Sequence, residues 1–247
     1  MSKARQVLVG EDPLTYLPRK SVQEYAKGRV IYSLEEPSDK LHLVVLGRVK
    51  VSTKSEDGIE TVSRIISPEG LFGEAVLVGG RSQGAPETAI AMDPATLMSW
   101  TRAEIEQQIE REPRLGIALS QYLVRECIEL QERIESMAIH KTPERVILAL
   151  TQLARSMGTP LPDGSTRLAS LTHHTIAEYV GTSREIITFQ MNRLRRLGLV
   201  RYTRRYIDVY VHALEQMLRH QGISVQPENA AEEDPARRLA ASSTGTA

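Results

Sequence analysis

The sequence predicts an α+β chain in which an N-terminal β-roll, one long helix and a C-terminal helical domain follow one another. Three observations carry that reading. Residues 21–110 are a series of short β-type runs broken by glycine. Residues 111–140 place apolar side chains at helical spacing on a charged background. Residues 141–220 hold helix-start signals, a glycine turn, an arginine-rich helix and a short hairpin. Residues 1–20 are a mixed lead-in with Pro13 and Pro18, and residues 221–247 a polar tail.

Composition bounds the function classes. The 247 residues suffice for one or two domains, and 41% hydrophobic with 25% charged residues is a globular balance. Formal net charge is zero, so any partner must be sought in how the charge is distributed. The longest apolar runs, such as Leu41–Leu46, fall far short of the ~20 residues that span a bilayer. The N-terminal MSKARQVLVG lacks a signal-peptide core followed by a small-residue cleavage site. A single cysteine, Cys127, rules out an intramolecular disulfide and a self-supplied four-cysteine iron–sulfur cluster. The expectation is a cytoplasmic protein with no membrane partner and no such cofactor.

In the first region the runs GRVIYSL, LHLVVLGRVKVST, IETVSRII, ETAIAM and ATLMSW are parted at Gly28, Gly47, Gly58, Gly70 and Gly79–Gly80. That is the pattern of short antiparallel strands in a small β-roll. Pro113 then opens the long helix. On it Leu123, Cys127, Leu130, Ile134 and Met137 recur as a heptad seam, flanked by Arg125, Glu126, Glu129, Glu132, Arg133 and Glu135. So narrow a stripe favours a homodimer seam along residues 115–139 over a helix packed only on its own β-domain. It makes Cys127 a seam residue rather than a redox sensor, since no basic group stands ready to activate it.

From Thr142, TPERVILALTQLARSMG reads as a helix with Thr142 as N-cap, Pro143 in the first helical position and Gly158 as C-cap. TPLPDGST reads as a loop. ISVQPENAAEEDPARRLAASSTGTA is almost free of apolar residues and reads as a disordered tail.

Between loop and tail, LTHHTIAEYVGTSREIITFQMNRL fits two helices joined by a tight turn. The first starts at Thr172, turns Ile176 and Val180 inward and ends at Gly181. Thr182 with Glu185 forms a capping box for the second, with Ser183 as the competing cap. Ile187, Met191 and Leu194 give the second helix its buried side. Its opposite face shows Arg184, Glu185, Thr188, Phe189 and Asn192, donors and acceptors near the helix end that enters the major groove in helix–turn–helix proteins. From Arg184 to Arg205 there are seven arginines and one acid. Beside the hairpin LVRYTRRYIDVYV, which carries Arg204, that block fits a winged helix straddling the phosphates of double-stranded DNA. His173 and His174 are adjacent, point in different directions and lack a partner at ligand spacing, so they read as groove-side or solvent residues and not as metal ligands.

These motifs resemble the cyclic-AMP receptor protein / fumarate–nitrate regulator (Crp/Fnr) superfamily of bacterial transcription factors, over residues 21–215 and in the family's order. LHLVVLGRVKVS, GLFGEAVLVGG and GTSREIITFQMNRL carry the likeness. DGSTRLASLTHHTIAEYVGTSRE is also similar to the cyanobacterial nitrogen-control branch. The resemblance implies a homodimeric regulator on a palindromic site, not an enzyme. RNA polymerase is a candidate partner, and a hinge is expected near His140–Thr142. It also implies a cyclic-nucleotide-binding-like sensor in which Gly73, Glu74 and Ala75 stand where the family receives ribose and phosphate on free backbone N–H groups.

Two departures from the family pattern follow. Ser183, Arg184 and Glu185 match its recognition helix, and arginine reads guanine O6 and N7 while glutamate accepts from cytosine N4. Where the family has a further arginine, this chain has Phe189, whose ring can pack on a thymine methyl and so implies a half-site unlike TGTGA. The alternative is that Phe189 tucks into the core and leaves that base unread. In the sensor, alignment puts Ala85 or Pro86 at the phosphate-pairing arginine, and Arg81 and Ser82 come several residues early. The adenine-contacting pair falls on Leu130 and Gln131. Losing a bidentate partner for a buried phosphate is costly, so cyclic AMP is not the expected ligand. The candidates are 2-oxoglutarate by likeness to the nitrogen-control branch, another nucleotide, or none. A small-molecule sensor with secondary DNA binding is the alternative function. An enzyme is disfavoured because no Ser/His/Asp or paired-carboxylate arrangement is present.

Overall fold

The computed structural model describes residues 10–78, 87–220 and 222–223. Its first part is built from β1 (Val22–Tyr25), β2 (Val30–Tyr32), β3 (Lys40–Leu46), β4 (Val49–Lys54), β5 (Glu60–Ile66), β6 (Leu71–Phe72), β7 (Glu87–Ala91) and β8 (Ala95–Thr101). They form two antiparallel four-stranded sheets, ordered β1-β8-β3-β6 and β2-β7-β4-β5. Alternate residues face inward, and Val44, Val49, Val51, Phe72, Ala89 and Leu97 make one continuous core. Gly47 joins β3 to β4 at φ +81°, and a Cβ there would stand 2.4 Å from the Pro94 carbonyl oxygen, so only glycine fits. The lead-in is tied to the roll: Trp100 Nε1 donates to the Pro18 carbonyl at 2.8 Å, and Leu17 is buried.

Three helices follow. The first, α1 (Arg102–Arg111), lies inside the stretch expected to be all strand. A Thr101–Glu104 capping box starts it, and Ile105 is its buried residue. The second, α2 (Arg114–Ile139), is the long helix, and its N-terminal half lies on the roll through Leu115, Ala118, Leu119 and Tyr122. Leu123, the first residue of the expected seam, is partly buried against that group. The apolar residues α2 leaves exposed are Ile117, Val124, Ile128, Leu130, Ile134, Met137 and Ile139, with exposed Cys127 among them. Cys127, Leu130, Ile134 and Met137 of the expected seam are thus open, and Ile117, Val124, Ile128 and Ile139 widen the exposed apolar face beyond it. The third, α3 (Thr142–Met157), begins one residue earlier than its cap signal suggested. Lys141 is the N-cap, and its N–H donates to the Glu144 carboxylate at 2.8 Å.

The C-terminal part continues with β9 (Thr159–Pro160), β10 (Thr166–Ala169), α4 (His173–Val180), α5 (Arg184–Arg196), β11 (Val200–Tyr202), β12 (Tyr206–Val209) and α6 (Val211–His220). The expected loop TPLPDGST therefore holds β9 and the first residue of β10. The hairpin β11–β12 is extended by them into one sheet, ordered β11-β12-β10-β9. Gly158 caps α3 with extended backbone; it must be glycine because a Cβ would stand 2.2 Å from the Thr166 methyl. Leu150, Leu168, Ile176, Ile187, Met191 and Leu214 form the core, and Val62 of β5 belongs to the same cluster. The helical domain is therefore docked on its own β-roll. No helix of the described residues is long and apolar enough to cross a membrane. The expected disordered tail lies outside the described residues apart from Gly222 and Ile223.

Candidate nucleic-acid interface

The turn between α4 and α5 is set by local chemistry. Thr172 Oγ1 accepts from the Thr175 N–H at 3.0 Å and caps α4. Gly181 ends α4 in the left-handed conformation, φ +72°, which costs glycine nothing. Ser183 caps α5, its hydroxyl accepting from the Ile186 N–H at 3.3 Å. The cap is therefore Ser183 and not Thr182, because the helix starts at Arg184. Ile187, Met191 and Leu194 are buried as the spacing requires, together with Gln190, which the apolar pattern could not flag.

The face away from that core splits into free and engaged side chains. Arg184 and Glu185 are exposed at the helix N-terminus. The Glu185 carboxyl is held below the usual carboxylate range by its own backbone N–H and by Ser183, so it stands as an ionised acceptor. Phe189 is 61% exposed, which rules out its retreat into the core. Thr188 and Asn192 are turned inward. Thr188 Oγ1 donates to the Arg184 carbonyl at 2.9 Å and sits 2.9 Å from His173 Nδ1. With its one proton so used, His173 Nδ1 must be the donor to it. Burial, with the nearby Arg184 charge, lowers the His173 pKa and keeps the ring neutral. The ring meets Tyr202 edge-on at 5.6 Å, and Tyr202 donates to Asn192 Oδ1 at 3.0 Å. Recognition helix and hairpin are thereby locked together. Arg195 lies over the Tyr202 ring at 5.3 Å, and Arg204 is exposed in the hairpin turn. Arg167 and Arg201 both reach the buried Asp208 carboxylate and stiffen the hairpin from behind.

The candidate effector site is arranged differently. Gly73 has φ +84°, and a Cβ would stand 2.7 Å from the Lys40 carbonyl oxygen. Glu74 starts a short 3-10 segment, Glu74–Val78, that includes Ala75. Both Glu74 carboxylate oxygens accept from Arg64 of β5, at 2.7 and 2.8 Å. Arg64 also donates to Glu126 of α2 at 2.6 Å. Burial opposes the charge on Arg64, but Glu74 and Glu126 outweigh it and raise its pKa. Burial also raises the pKa of Glu87 on β7. The ion triad had no local sequence signal, since Glu74 and Glu126 lie 10 and 62 residues from Arg64 along the chain. Leu130 and Gln131 are exposed, and Arg81 and Ser82 lie outside the described residues.

Comparison with known proteins bears on both parts. The cyclic nucleotide-binding domain family matches residues 22–112, and the Crp-like helix-turn-helix domain family matches residues 144–219. The global nitrogen regulator of Synechocystis sp. is 27% identical over 189 residues, covering 76% of this chain and 84% of that protein. The CRP-like cAMP-activated global transcriptional regulator of Mycobacterium tuberculosis is 29% identical over 187 residues, covering 72% and 79%. Among solved structures, a CRP/FNR-family transcriptional regulator of Thermus thermophilus is 25% identical with a TM-score of 0.63, covering 81% of this chain and 98% of that one. FixK2 of Bradyrhizobium japonicum shares the fold at 18% identity, with a TM-score of 0.68 over 84% and 98% of the two chains.

Proposed function

Because the chain belongs to the Crp/Fnr family of transcription regulators, we propose that it acts as a homodimer reading a palindrome through Arg184, Glu185 and Phe189. Two copies paired along the open stripe of α2 would set their α5 helices one turn of DNA apart, roughly 34 Å. Arg184 takes guanine and Glu185 takes cytosine in the major groove. Phe189 packs on a thymine methyl, so the half-site departs from TGTGA at that step. Arg195, Arg196 and Arg204 lie toward the phosphates. The observation that carries this reading is the 61% exposure of Phe189 beside the exposed charged groups of Arg184 and Glu185, on a helix whose back is buried at Ile187, Met191 and Leu194. Binding-site selection with the wild type and Phe189→Arg tests it. The preferred base should change at one position of each half-site, and an unchanged preference at every position rejects the role of Phe189.

The same reading holds that cyclic AMP is not the effector. Glu74 would receive the ribose, and although Arg64 engages both of its oxygens, each keeps a lone pair that could accept from a hydroxyl. What speaks against the nucleotide is its phosphate, whose pairing arginine is replaced by Ala85 or Pro86. Calorimetry with cyclic AMP should give no heat of binding. Micromolar affinity would overturn this part and leave the DNA-binding part standing.

A further inference from the structure

The carbonyls at a helix C-terminus lack partners within the helix. At the end of α4, arginines supply them. Arg145 of α3 donates to the carbonyls of Val180 and Gly181, the latter at 2.9 Å. Arg133 of α2 donates to the Tyr179 carbonyl at 2.6 Å and lies over the Tyr179 ring, 4.3 Å from its centre. The same guanidinium also donates to the carbonyls of Val62 and Ser63 on β5. One side chain on the long helix thus holds both the β-roll and the helix–turn–helix, Nη1 reaching Ser63 and Nη2 shared between Val62 and Tyr179.

Its surroundings reinforce the join. Val62 is fully buried within the core of the helical domain. Lys50 of β4 reaches Glu178 of α4 at 3.4 Å. Arg48, paired to Asp93, donates to the carbonyls of Ala169 and Ser170 at 3.3 and 3.2 Å, just before α4. None of this covers the reading face, since Arg184 and Glu185 stay exposed and Phe189 is open. The contact therefore orients the DNA-reading helix without blocking it.

From these contacts we infer that Arg133 is a positioning residue for DNA recognition: it fixes the angle between the α2 axis and α5, so that both helices of a dimer meet the two half-sites together. The inference rests on the DNA-binding reading above. A guanidinium suits the task because its planar donors reach three carbonyls at fixed angles, which a lysine ammonium cannot do. Arg184 follows Tyr179 closely along the chain, and the Gly181 turn lies between them, so an α4 held in place holds α5.

The test compares two duplexes, the selected palindrome and a single half-site, against the wild type, Arg133→Gln and Arg133→Lys. In the variants half-site affinity should stay within about twofold, while palindrome affinity falls roughly tenfold or more as the advantage of two linked contacts is lost. Glutamine should lose at least as much as lysine, with dimer mass unchanged. An unchanged palindrome-to-half-site ratio, or an equal loss on both duplexes, would overturn the inference. Hydrogen exchange needs no DNA: amides of β5 at Val62–Ser63 and of the α4–α5 turn should exchange faster together in Arg133→Gln. Unaltered protection at both would count equally against it. If the wild type itself fails to prefer any sequence, the DNA-binding reading fails, and the exchange experiment still judges the join.

Discussion

Arg64 pairs with Glu74, a residue the sequence marks as ligand-facing, and Arg184 stands on a helix so marked, yet the two arginines are used in opposite ways. Around Arg64 the charges satisfy one another: two oxygens of Glu74 and one of Glu126 share its guanidinium, and α2 is tied to the β-roll as a result. Around Arg184 the charges are left open, while the groups behind them, Thr188, His173, Tyr202 and Asn192, are paired with each other. A buried charge without a partner is expensive, so a side chain whose partners lie within the chain belongs to the fold. A charged face whose supports are fully satisfied but whose own groups are free has its partner outside.

The largest expected effect breaks the inner site. Arg64→Gln leaves Glu74 and Glu126 facing each other half-buried, which should cost roughly 3–4 kcal/mol of β-roll stability, the lower end for a broken buried pair because some solvent reaches it. Thermal melting should show a drop of many degrees. An unchanged melting temperature would mean that the triad does not hold α2 to the β-roll.

The next effect is confined to the same domain. His42 is buried between Ser38 and Ser99, with Nε2 2.7 Å from one hydroxyl and Nδ1 2.8 Å from the other, and it stacks on Phe72. Burial, with a smaller contribution from Lys40, pushes its pKa down to about 4 from the ordinary 6.5. Between those values the unfolded chain binds a proton that the folded chain refuses. Stability is therefore full above pH 6.5 and falls as pH drops toward 4, by up to about 3 kcal/mol. Denaturant unfolding of the wild type and His42→Gln across this window should give a steeper pH slope for the wild type, and parallel slopes would contradict the assignment.

On the open site the balance reverses. Arg184→Ala should leave stability within about 0.5 kcal/mol, as for other exposed substitutions. It should cost roughly 2 kcal/mol of specific binding per half-site. Anisotropy titrations against the selected and a scrambled duplex separate the two, since binding to the scrambled duplex should weaken far less.

How much of this was legible in the sequence differs by the range of the signal. Caps and turns act within four residues, so Thr172, Gly181 and the buried side of α5 could be read directly. Where two signals overlapped, as at Thr182 and Ser183, a shift of one residue decided between them. The Thr101–Glu104 box that starts α1 is equally local, but no apolar stripe accompanies it because the helix buries only Ile105. Apolar spacing located α2 and most of its open face, but not the width of that face. Leu123 and Val124 are neighbours with opposite fates, one against the roll and one in the open, and only the position of the β-roll distinguishes them. The Arg64 triad and the Arg133 join connect distant segments, and no pattern along the chain announces either.

The smallest effect is the sharpest probe of the open site. Phe189→Ala should change stability by no more than about 0.5 kcal/mol, because the ring is 61% exposed. If the ring packs on a thymine methyl, replacing that thymine by uracil removes one methyl and nothing else. Wild-type binding should then weaken by about 0.8 kcal/mol per half-site, the value of one buried carbon group. The Phe189→Ala protein has already lost the contact and should bind both duplexes alike. The four affinities close a cycle in which the coupling between ring and methyl is measured directly. A coupling of zero would assign Phe189 to the rim of the interface and return base reading to Arg184 and Glu185 alone.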